Sequence, residues 1–172
     1  ASCVTQVQAR YIMLPFIDFS CRKTVIEANH AVDVFKTLDL NVGYIGVLQG
    51  LDLKSLKDCY QGIKLFSSVI ALPAELEKIA KRSEIIRDIG IKLPVLYLDT
   101  FSNPCEEIPL GEAWGLISSW PARLAKEERD LTDYAERTPK SLDFDCKLNK
   151  TLLESNLKLF YELVRIKNGR KI

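Results

Sequence analysis

The chain has 172 residues, of which 47% are hydrophobic and 27% charged, with a net charge of +1. A chain of this length can bury a core without disulfide or metal staples. Near-neutral charge argues against a nucleic-acid-binding surface, which needs a basic excess, and no apolar run reaches the roughly 20 residues of a membrane span. Five scattered cysteines, Cys3, Cys21, Cys59, Cys105 and Cys146, contain no CxxC pair. An odd count without metal-ligand spacing reads as reduced thiols of a cytoplasmic protein, with no metal and no cofactor.

In chain order, residues 1–8 are a loose polar lead-in. Tyr11 to Phe19 (YIMLPFIDF) reads as a first strand that ends near Pro15, because proline removes a ladder donor. Ser20 is placed to cap an amphipathic helix from Arg22 to Leu38, with Val25, Ala28, Val32 and Phe35 on its apolar stripe. Asn41 to Gln49 is a second strand, and Leu53 to Ile63 a second helix carrying Leu56, Cys59, Tyr60 and Ile63. Ser67 to Leu72 (SSVIAL) is a third strand, closed by Pro73. Ala74 to Ile89 has helical spacing and stops at Gly90, a C-terminal glycine. Pro94 to Leu98 (PVLYL) is a near-continuous apolar run, as in a strand covered on both faces. Alternation of this kind predicts one α/β domain: a three-layer α/β/α fold on a mostly parallel five-stranded sheet. An all-helical bundle competes with it, and the glycines and prolines flanking the apolar runs favour strands.

Beyond Thr100 the pattern changes. Residues 102–141 read as a helical insertion after the fourth strand, broken by Pro104, Pro109, Pro121 and Pro139. Ser141 to Cys146 alternates as a fifth strand, Asn149 to Ile166 is a final amphipathic helix, and residues 168–172 form a basic tail.

The stretch EIIRDIGIKLPVLYLDT, residues 84–100, resembles the receiver domain of bacterial response regulators, where a helix leads into a proline-led fourth strand ending in a hydroxyl residue, here Thr100. The resemblance implies a flavodoxin-like fold over residues 9–100 and 141–167. Receivers phosphorylate an aspartate at the end of the third strand, whereas this chain has Ala71-Leu72-Pro73 there. The first strand offers one acid, Asp18, in place of a magnesium-binding pair, and Lys147 lacks the proline that follows the receiver lysine. The resemblance therefore implies a pseudo-receiver: a non-catalytic regulatory domain that binds a protein partner or itself.

Three sets of residues are candidates for function. Asp18, Ser20, Asp99 and Thr100 would line a polar ligand pocket at the carboxyl ends of adjacent strands. Arg22, Lys23 and Thr24 occupy the end of a P-loop-like register in IDFSCRKT, but Ile17 and Arg22 replace its glycines. They could contact an anion at a helix start, as in a degenerate nucleotide-binding pseudo-GTPase. Trp114, Trp120, Arg123 and Lys126 would form an interaction surface, with one tryptophan in the core and the other exposed, since residues six apart do not share a helix face. His30, the only histidine, lies on the polar side of its helix and supports no triad.

Overall fold

The computed structural model describes residues 10–99, 113–131 and 148–167, with side chains of the last helix described to residue 163. The elements are β1 (Tyr11–Met13), α1 (Cys21–Thr37), β2 (Gly43–Val47), α2 (Leu53–Ile63), β3 (Val69–Pro73), a 3₁₀ turn (Ala74–Lys78), α3 (Arg82–Ile89), β4 (Val95–Leu98), β5 (Gly115–Ile117), α4 (Trp120–Lys126) and α5 (Lys150–Lys167). The fold is α/β on a parallel five-stranded sheet, as the alternation predicts. β1 pairs in parallel with β2, with Ile12 opposite Tyr44, and β2 with β3, with Ile45 opposite Val69. All five residues of β3 are buried, so the sheet is covered on both faces there, as a three-layer arrangement requires. The strands run in the sequential order β1-β2-β3-β4-β5. A flavodoxin-like sheet runs 2-1-3-4-5, and its ligand crevice lies where that order reverses. Among the described residues this sheet has no such reversal.

The chain divides into two compact units, residues 1–96 and 97–172. In the first, α1 packs against α2 and α2 against α3. Leu14, Ala28 and Val32 are buried together with Phe35, Tyr44 and Phe66 against them, so the predicted α1 stripe faces the core. β1 ends before Pro15, and Leu14 closes the ladder by donating its N–H to the Ile45 carbonyl at 2.9 Å.

The predicted continuous helix over 74–89 is two pieces. Arg82 is buried and its Nε donates to Glu77 at 2.7 Å. Residues five apart in one α-helix point about 140° away from each other, so that ion pair requires the break. Glu84 then accepts the Lys81 N–H at 3.3 Å and starts α3 afresh. Gly90 ends it at φ 72°, in the left-handed conformation expected of it.

In the second unit, the Asp99 N–H donates to the Ile117 carbonyl at 2.7 Å, so the fifth strand of the described sheet is Gly115–Ile117, inside a segment expected to be helical. The earlier candidate, residues 141–146, lies outside the described residues, as do the lead-in 1–8 and the tail 168–172. α4 packs Trp120 and Leu124 with Leu131 against Leu159, Phe160 and Leu163 of α5. Asn156 of α5, wholly buried, ties this layer together. Its Nδ2 donates to the Pro121 carbonyl at 3.3 Å and the Arg129 carbonyl at 3.1 Å, and its Oδ1 accepts the Leu131 N–H at 2.8 Å.

Candidate functional site

Parallel α/β sheets present their variable loops at the carboxyl ends of the strands. Two of these, after the neighbouring strands β1 and β2, are built with unusual internal bracing. In the β1–α1 loop the Thr24 hydroxyl accepts the Ile17 N–H at 2.9 Å and donates to the Ile17 carbonyl at 3.1 Å, and the Thr24 side chain is fully buried. The Ser20 N–H donates to the same Ile17 carbonyl, closing a turn that holds Phe19 at φ 58°. A left-handed phenylalanine costs about 1–2 kcal/mol of backbone strain. Its N–H is satisfied from the next loop: buried Gln49 accepts it through Oε1 at 2.9 Å, which joins the two loops.

The β2–α2 loop is tied as tightly. Asp52 caps α2 by accepting the Ser55 N–H at 2.7 Å, while the Ser55 hydroxyl accepts the Leu51 and Asp52 N–H groups. Hydrogen bonds from the Ser55 N–H and hydroxyl hold the Asp52 carboxyl below its ordinary pKa. Gly50 is required here, because a Cβ would lie 2.7 Å from the Ser55 hydroxyl and 2.9 Å from the Leu56 nitrogen.

The consequence is an apolar rim. With their polar groups bonded inward, the loops turn Ile17, Phe19, Leu51 and Leu53 towards solvent, Phe19 at 43% and Leu51 at 72% exposure. Scattered apolar residues on a surface are ordinary. Four on two cross-linked loops, one of them in a strained backbone conformation, are a built feature.

The predicted sets fare differently. Asp18 is exposed on the β1–α1 loop, and Ser20 is at the N-cap of α1 but makes no side-chain cap bond. Its backbone carbonyl accepts the Thr24 N–H while the loop bracing falls to Thr24. Asp99 follows β4 at φ 58°, and its Oδ1 accepts from the Ser118 hydroxyl at 3.5 Å. Thr100 lies outside the described residues. β2 and β3 stand between the strands that carry Asp18 and Asp99, so these acids are not on adjacent strand ends.

Arg22 and Lys23 are exposed at the start of α1, but Thr24 points inward with its hydroxyl occupied, which removes it from any anion contact. Trp120 is core and Trp114 is 39% exposed, dividing the tryptophans as expected. Arg123 and Lys126 are half-buried rather than exposed, and beside them Arg129 pairs with Glu127 at 3.1 Å. His30 is exposed on α1. Among the described residues no three His, Cys, Asp or Glu side chains gather as a metal site, and no helix is long and apolar enough to cross a membrane.

Sequence reasoning missed Ile17, Phe19, Gln49, Leu51 and Leu53. The one local signal was Leu51-Asp52-Leu53, two leucines flanking a cap residue and off the buried stripe of α2. No protein-family model matches the chain, and neither a curated protein nor a solved structure is significantly similar to it.

Proposed function

We propose that the chain is a non-catalytic interaction domain that docks a protein through the rim of Ile17, Phe19, Leu51 and Leu53. The observation that carries this reading is the bracing of Thr24, Gln49 and Ser55, which keeps apolar side chains outward at the expense of a strained Phe19. Rigid loops lose little entropy on association, so the apolar area they offer is available to a partner or a second copy. A regulatory role without phosphoryl transfer accords with the carboxyl end of β3, where buried Pro73 and Ala74 stand in place of an acid. A cytoplasmic setting accords with Cys21 and Cys59 being free thiols. The nucleotide-binding alternative is the weaker one, since Thr24 contributes no ligand and the glycines of a phosphate cradle are missing.

A photo-crosslinking residue at position 51, compared with one at Leu65, which is 80% exposed away from these loops in sequence, tests the proposal. The expected result is a discrete adduct, to a second protein or a second copy, from position 51 alone. Phe19→Asp should remove it without lowering the melting temperature. Equal adducts from both positions, or an adduct indifferent to Phe19→Asp, would refute the rim as the interface.

A further inference from the structure

Behind the rim, α1 and α2 each carry a cysteine near the place where the two helices pack together. Cys21 opens α1 and is half-buried, and Cys59 lies in α2 and is wholly buried; both are free thiols. The helices pack side by side and are pressed together at Gly62, where a Cβ would lie 2.8 Å from Val25 Cγ2. Cys21 is one turn before Val25 and Cys59 nearly one turn before Gly62, which carries the contact on towards the starts of both helices. There the two thiols lie near enough for each to influence the other's titration, and the Gln49 backbone acts on Cys59 in the same way. Half-buried Cys21 is the member a small reagent can reach.

We propose that Cys21 and Cys59 are a modification site for hydroperoxides, which convert the pair to an intramolecular disulfide joining α1 to α2. The Cys21 thiolate attacks the peroxide oxygen, the O–O bond breaks, and Cys21 becomes a sulfenic acid as the peroxide leaves as an alcohol or water. Cys59 sulfur then attacks the Cys21 sulfur, the S–O bond breaks, and water departs with the thiol proton. In sum, two thiols and one hydroperoxide give one disulfide, one alcohol and one water. The bridge would form two residues beyond Phe19 and clamp the start of α1 to the helix behind Gln49.

Burial raises both thiols, Cys59 to about 12, so the pair stays protonated near neutrality and reacts slowly without a peroxide pulse. Below the Cys21 pKa the first step should speed up by about tenfold per pH unit, in line with the thiolate fraction.

The test treats the full chain with hydrogen peroxide at pH 8.5, blocks remaining thiols after unfolding, and digests with trypsin without reduction. The expected product is peptide 11–22 disulfide-linked to peptide 58–64. Its formation should raise the melting temperature, and dithiothreitol should reverse the shift. Cys21→Ser, at the half-buried member and so tolerant of substitution, should lose both the linked peptide and the shift. The proposal is overturned if both thiols stay alkylatable, if Cys21 proceeds to the sulfinic acid, or if Cys21 links to another cysteine.

Discussion

Thr24→Val replaces a hydroxyl with a methyl of nearly the same size, so it removes the brace of the β1–α1 loop without opening a cavity. Two hydrogen bonds are lost, the 2.9 Å bond from the Ile17 N–H and the 3.1 Å bond to its carbonyl. Each such bond contributes roughly 1 kcal/mol net, and an unpartnered buried group costs about 1–3 kcal/mol. Ile17 is 41% exposed, so water can reach part of its backbone once the brace is gone, and the lower part of that range applies. We expect a loss of about 1–2 kcal/mol, or roughly 2–8 °C in melting temperature for a chain of this size. Hydrogen exchange provides the local readout: the amides of Ile17 and Phe19 should lose protection, while those of β3 change only as far as global stability does. Thr24→Ser keeps the hydroxyl and should keep Ile17 protected, at a cost near the 0.8 kcal/mol of one buried methyl. If Thr24→Val leaves both the melting temperature and Ile17 exchange unchanged, the loop is held by something else. The rim is then not preorganised by Thr24.

Two further substitutions probe the other polar anchors. Asn156→Ala strands three backbone groups and should cost about 3–5 kcal/mol in urea unfolding. Asn156→Asp can still accept from Leu131 but sets a carboxylate against the Pro121 and Arg129 carbonyls, so it should be worse at pH 7 than at pH 4, where protonation restores a donor; tolerance at pH 7 would contradict the geometry. Asp52 has a folded pKa below its unfolded one, so its contribution is fully present above the unfolded value and disappears as pH falls through the folded value. Asp52→Asn should flatten the stability profile over that acidic window, and an unchanged slope would remove the cap from the account.

The helices of this protein are local statements. α2 spans Leu53–Ile63, as its stripe of Leu56, Cys59, Tyr60 and Ile63 predicts, and Gly90 stops α3 because a residue without a Cβ adopts φ 72° freely. β3 and β4 were legible for the same reason, as short apolar runs next to a proline. These signals live within a few residues, where side-chain period and backbone stereochemistry act directly. The break after the 3₁₀ turn was not legible, because the Arg82–Glu77 pair that demands it joins side chains which a continuous helix would keep apart. Nor was the strand character of Gly115–Ile117, a three-residue piece made a strand by its neighbour. The candidate site was the least legible part. Thr24 and Ser20 have the same sequence credentials as polar residues at a helix start, yet Thr24 turns inward to hold Ile17 and Ser20 makes no cap. Gln49 meets Phe19 across thirty positions, and Asn156 reaches Pro121, Arg129 and Leu131 across twenty-five or more. Hydrogen bonds between distant positions leave no period in the sequence. Which polar side chains are buried as braces, and which apolar ones are left outside, was decided only when the sheet brought the loops together.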